Sequence, residues 1–121
     1  MPKAIILTLT LLFCAVLFAQ DLEQTDGAPN GRLWNSWPQP VKTFYLVGIR
    51  DGLVIADGMG KEWPTGFVIG DYLKELNKLY GEGENVKIPI WTAFRYVSLK
   101  LRGNLQKDKL ESVLIQLRQV K

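Results

Sequence analysis

Histidine is missing from the 121-residue chain, and cysteine occurs once, at Cys14. The first absence removes imidazole acid–base catalysis, Ser/His and Cys/His nucleophilic sites and every histidine-bearing zinc site; the second removes multi-cysteine metal sites and any intrachain disulfide. Two partial motifs fail on inspection. Gly58-Met59-Gly60-Lys61 continues with Glu62, where a phosphate loop needs Ser or Thr after its lysine and a strand before it. Asp51, Asp57 and Glu62 span twelve positions, but Leu53 and Ile55 stand where an EF-hand places its next oxygen ligands. Internal repeats and low-complexity tracts are lacking too. The sequence points to no cofactor and no metal. What is present, 47% hydrophobic and 22% charged side chains, suits one globular domain.

The N-terminus has the three-part layout of a secretory signal peptide. Lys3 supplies a positive charge, Ala4 to Ala19 is apolar apart from Thr8 and Thr10, and Asp21 opens a polar stretch. The apolar run is shorter than the ~20 residues a membrane-spanning helix needs, and Ala19 is a small residue at the last position before a cut. Residues 1–19 are therefore expected to be cleaved, with an uncleaved anchor as the alternative. Cys14 follows Phe13, whereas a lipid-modified cysteine follows a small residue, so it counts as a hydrophobe of the signal. The protein is expected in the periplasm or outside the cell, with no stable membrane span after cleavage. Cleavage removes Lys3 and Cys14, leaving 14 basic against 12 acidic side chains and no thiol. The apolar core alone must then hold the mature domain, which its length permits.

Beyond the signal, residues 20–30 are polar, carry Gly27 and Pro29, and are expected as a mobile leader. A single helical domain is expected over 31–121. Asn30 is placed to cap a short helical turn over Gly31 to Ser36. Pro38 and Pro40 suit the start of a second helix, since a first turn has no use for their absent N–H. Val41, Phe44, Tyr45, Gly48, Ile49, Gly52, Leu53 and Ala56 follow at helical spacing and predict its buried face, with close backbone packing at Gly48. A hairpin turning at Arg50-Asp51-Gly52 is the rival, disfavoured because the apolar stripe runs through that turn.

Gly58, Gly60, Pro64 and Gly66 mark a loop, after which Ile69, Tyr72, Leu73, Leu76, Leu79 and Tyr80 share a face, with Asp71 near the positive helix start. Pro89 suits the entry of a helix bearing Ile90, Trp91, Phe94, Val97, Ser98 and Leu101, and Gly103 its left-handed stop. Leu110, Val113, Leu114 and Leu117 define a last helix. The predicted fold is all-α, a small bundle of about four main helices.

Carboxylates are the remaining source of acid–base chemistry. Asp51, Asp57, Glu62 and Asp71 are the candidates, each with an ordinary place on a helix surface, a turn, a solvated loop or a helix N-terminus. Charge is unevenly spread: residues 20–84 hold 6 basic and 10 acidic side chains, and residues 85–121 hold 8 and 2. Lys87, Arg95, Lys100, Arg102, Lys107 and Lys109 define a basic half, read either as a patch for an anionic partner or as internal neutralisation of the acidic half. Nucleic acid is not an expected partner, because no basic motif interleaved with aromatics is present. Of the four tryptophans, Trp34 and Trp91 fall on packing faces and are expected in the core. Trp37 and Trp63 stand beside prolines in connections, where they either lid the core or present a partner surface. Trp37, Trp63, Arg95 and Arg102 are the candidate partner surface.

The succession GRLWNSW, KTFYLVGIRDG, WPTGFVIGDYLKELNKLY and VKIPIWTAFRYVSLKL, over about residues 31–103, resembles the Tai-type immunity domains of bacterial type VI secretion and their exported relatives. The shared features are Tyr45, Gly48 and Gly52 in a Tyr-x-x-Gly-x-x-x-Gly helix, the Pro64-x-Gly66 entry, and an amphipathic helix ending in Tyr80. The resemblance implies a small exported helical protein, often dimeric, that neutralises a toxic effector by binding it and has no catalytic residue. Relatives of that type commonly carry disulfides, which this mature chain lacks. The expected function is binding of another envelope or effector protein, without enzymatic activity and with a homodimer compatible. The alternatives are a small Asp/Glu-dependent envelope hydrolase and a purely structural envelope protein.

Overall fold

The computed structural model describes residues 22–56 and 68–119. The signal-peptide segment lies outside the described residues, as does the loop holding Asp57, Glu62 and Trp63. The described chain is an all-α bundle preceded by a minimal hairpin. Strands β1 (Gln24–Thr25) and β2 (Ala28–Pro29) pair antiparallel, and helices α1 (Gly31–Ser36), α2 (Gln39–Ile55), α3 (Ile69–Gly81), α4 (Ile90–Arg102) and α5 (Lys107–Leu117) follow. Among the described residues no helix is long and apolar enough to cross a membrane.

The helix boundaries follow local chemistry. The Asn30 side chain accepts the Arg32 N–H at 3.0 Å and opens α1. Pro38 and Pro40 flank the first residue of α2, which then runs unbroken through Gly48 and Gly52 to Ile55, so the rival hairpin does not form. Asp71 accepts the Val68 N–H at 2.9 Å and so satisfies a donor at the start of α3. Gly103 stops α4 at φ 69°, a backbone state that costs glycine little.

Helix α3 lies at the centre, with α1, α2 and α4 packed on it, and α5 packs on α4. The core gathers Trp34 from α1, Leu46 and Leu53 from α2, Tyr72, Leu76, Leu79 and Tyr80 from α3, Ile88, and Ile90, Ala93, Phe94 and Val97 from α4. Its polar groups are paired: the Trp34 Nε1–H donates to Asn77 at 2.9 Å, Tyr72 Oη and Ser98 Oγ share a hydrogen bond of 3.1 Å, and the Tyr80 hydroxyl donates to the Ile88 carbonyl at 2.9 Å.

Three expectations are corrected. Residues 22–30, expected within a mobile leader, are tied to the body. Asp26 and Gly27 both take positive φ, the two-residue turn that matches strand twist, and Thr25 donates to the Lys87 carbonyl at 2.6 Å. Asn30 is buried, donates to the Leu22 carbonyl at 3.0 Å and to Thr25 at 3.1 Å, and pairs its backbone with Pro89. The buried face of α2 is rotated from the expected one: Leu53 points inward as expected and Leu46 joins it, whereas Val41 and Phe44 are exposed. Gly48 accordingly makes no close crossing, and no described atom lies within 4 Å of a Cβ placed there. The close approach belongs to Gly31 instead, whose Cα faces the Tyr80 ring.

Candidate functional site

Helix α4 has two faces of different character. Ile90, Ala93, Phe94 and Val97 fill the inner one, while Trp91, Arg95 and Leu99 stand on the outer one at steps of four, with Arg102 a turn beyond. This spacing stacks them along one ridge that alternates apolar and cationic groups. Trp91 was expected in the core and is 43% exposed. The small Ala93 takes the inward position, so the core closes on Ile90, Ala93 and Phe94 and leaves the indole outside.

The exposed indole is nevertheless held. Its ring stacks on Phe94 at 5.8 Å and 14°, and Phe94 stacks on Tyr72 at 4.8 Å and 18°. Three rings therefore run from the centre of the bundle to its surface, and the buried hydroxyl pair of Tyr72 and Ser98 fixes the inner end. A tryptophan fixed this way presents apolar area that needs little further ordering on contact.

Helix α5 forms the opposite wall. None of its residues is fully buried, and Leu110, Val113, Leu114 and Leu117 rest half-covered against the core. Between α4 and α5 lies a cleft of about 210 Å³, bounded by Trp91, Arg95, Tyr96 and Leu99 on one side and Val113 and Leu117 on the other. A smaller depression of about 100 Å³ continues the ridge past Arg95, Ser98 and Leu99 to Arg102. The Tyr96 hydroxyl is pushed up from its ordinary pKa by burial and stays protonated at neutral pH. Apolar walls beside a guanidinium suit an apolar side chain with a carboxylate next to it.

Other parts of the basic half are engaged internally. Lys100 pairs with Glu75, and Arg118 pairs with Glu84 at 2.8 Å and Glu82 at 3.4 Å. These pairs link basic groups of the C-terminal helices to the acidic half. Arg95 stands on the ridge beside the cleft, and Arg102 lines the smaller depression that follows it. Trp37, another candidate, is half-buried against Trp34 at 6.2 Å and Tyr45 at 5.1 Å, and closes the core. Trp63 lies outside the described residues.

The two described carboxylate candidates do not converge. Asp51 pairs with its neighbour Arg50 at 3.1 Å on the exposed side of α2, and Asp71 caps α3. Asp57 and Glu62 lie outside the described residues. Among the described residues no three of His, Cys, Asp and Glu are grouped to hold a metal ion. No protein-family model, curated protein or solved structure matches the chain.

Proposed function

We propose that this is an exported, non-enzymatic binding protein, immunity-like in action, that seats another envelope or effector protein on the Trp91–Arg95–Leu99–Arg102 ridge and its cleft with α5. The observation that carries the reading is Trp91, 43% exposed yet stacked on Phe94. Aromatic and arginine side chains dominate the energetics of protein interfaces, and here both stand on one rigid helix beside an apolar cleft. The matching partner offers an apolar anchor flanked by a carboxylate. The signal-like N-terminus and the resemblance to Tai-type domains support action in the periplasm or outside the cell.

Survival of cells expressing this protein under challenge by an envelope-targeting type VI effector tests the proposal. Wild type is expected to protect, and Trp91→Ala and Arg95→Glu are expected to lose protection with unchanged melting temperature. Full protection by both variants would overturn the assignment of this ridge.

A further inference from the structure

A second and larger cleft, of about 410 Å³, shares Tyr96 with the one beside Trp91. Tyr96 is 9% exposed, and its hydroxyl makes no hydrogen bond to any described residue. Among the described residues no buried side-chain nitrogen or oxygen is left unpaired, so this hydroxyl reaches open space. Burial is the main influence on the phenol, and the charges that act on it next are Lys100, Glu75, Glu82 and Arg118. Three of these four line the larger cleft and none lines the one beside Trp91. The unpartnered hydroxyl of a buried tyrosine therefore opens into the larger cleft.

The groups around it fall into two kinds. Lys107, Leu110 and Leu114, at steps of three and four, share one face of α5, and both leucines are half-covered. Facing them, Lys100 stands one turn after Tyr96 on α4. The Lys100 ammonium pairs with Glu75 and has further N–H donors to offer, while Lys107 makes no ion pair among the described residues. Lys107 also opens α5, where the positive end of the helix adds to its charge; Asp108, which offsets that end, does not line the cleft. An anion is the missing counterpart.

The same lining limits which anion fits. Arg118 already directs Nε to Asn85 and its other nitrogens to Glu82 and Glu84, so the guanidinium fork that suits phosphate is engaged. Glu82 and Glu111 on the rim repel a dianion or a polyanion. One protonated phenol and two ammonium groups match the acceptor sites of one carboxylate. We infer that this cleft binds a small monocarboxylate with an apolar body: the carboxylate accepts from the Tyr96 hydroxyl between Lys100 and Lys107, and the body lies along Leu110 and Leu114. The inference goes beyond the Trp91 ridge and stands without it.

The test titrates the isotope-labelled exported protein with octanoate and with acetyl-dileucine and follows its backbone amide resonances. Saturable shifts are expected around Tyr96, Lys100 and Lys107–Leu114, with a dissociation constant below ~1 mM for at least one probe. The tighter probe identifies the source as a free amphiphilic acid or a peptide C-terminus. Octanamide, which lacks the charge, and acetate, which lacks the body, are expected to bind at least ~10-fold more weakly. Tyr96→Phe keeps the ring and removes the hydroxyl alone, so the melting temperature is expected to hold while affinity falls ~10-fold. Lys107→Gln is expected to weaken binding as well. Absence of saturable shifts up to ~10 mM of either probe overturns the inference. So do octanamide binding as tightly as octanoate, inorganic phosphate binding more tightly than either probe, shifts centred on Trp91 and Val113, or an unaltered affinity in Tyr96→Phe.

Discussion

Gly31 lies against the face of the Tyr80 ring so closely that any Cβ there would overlap the ring carbons. The ring is held in place, because its hydroxyl is bound to the Ile88 carbonyl and Trp34 packs near it, with centroids 6.3 Å apart. Gly31→Ala is therefore expected to cost about 3 kcal/mol, the upper range for overpacking a filled core. Gly48→Ala, on the open face of α2, is expected to gain up to about 1 kcal/mol from helix propensity. Urea denaturation of the two variants checks the contrast, and equal shifts would refute it.

Burial, reinforced by Tyr45, pushes the Tyr80 phenol well above its ordinary pKa. Its proton is thus kept in the folded state and released in the unfolded state once pH passes the unfolded value near 10. The stabilisation is fully present below pH 10 and is lost as pH rises beyond it, at up to about 1.4 kcal/mol per pH unit. Tyr45 and Tyr96 are raised in the same direction by burial and add to the slope. Melting temperature between pH 9 and 11.5 is expected to fall, and Tyr80→Phe is expected to flatten the fall while losing about 1–2 kcal/mol at neutral pH with the Ile88 bond. An unchanged slope in that variant would reassign the effect.

Asn30 links the hairpin, the start of α1 and the segment before α4. Its Oδ1 caps Arg32, its Nδ2 holds the Leu22 carbonyl and Thr25, and Thr25 reaches Lys87. Asn30→Ala is expected to cost about 2 kcal/mol, one part for the cap and one for the buried bonds. Amide exchange at Gln24–Ala28 is expected to accelerate further than that of α3, and uniform acceleration would show that the hairpin and bundle open together.

Whatever chemistry lies within a few residues was readable in the sequence. The Asn30 cap, the Pro38 and Pro40 start, the Asp71 contact and the Gly103 stop each depend on neighbours less than a turn away. The inner face of α2 was readable only in part: helical spacing places Tyr45, Ile49 and Leu53 on it, but it places positions 41, 44, 48 and 52 there too and passes over Leu46. The hairpin was missed for another reason: Thr25 has its partner 62 residues away at Lys87, and no local pattern announces it. At the candidate site Arg95 and Arg102 stood out by charge. Trp91 did not, since its place beside Ile90 and Phe94 argued for the packing face, whereas Ala93 fills the inner position and Trp91 stands outside.

Arg118 fixes the far wall of the cleft. It donates from Nε to the Oδ1 of buried Asn85 at 2.7 Å, and its other nitrogens pair with Glu82 and Glu84. Asn85 is itself anchored by donating to the Leu79 carbonyl at 2.8 Å. Because α5 has no fully buried residue, this fork at its C-terminus supplements an apolar face that is only half covered. Arg118→Ala removes three bonds and leaves the Asn85 carbonyl oxygen without its donor, an expected loss of about 2 kcal/mol. Lysine restores the charge but not the planar fork, so Arg118→Lys is expected to recover less than half of the loss. Amides of Leu110–Leu117 are expected to exchange at least ~10-fold faster in Arg118→Ala while those of α3 change little, because α5 opens without the rest of the bundle. Any partner that uses Val113 and Leu117 as a wall then pays for ordering α5, and its affinity is expected to fall in step with the exchange. Unaltered exchange in α5 would mean that its leucines hold it unaided.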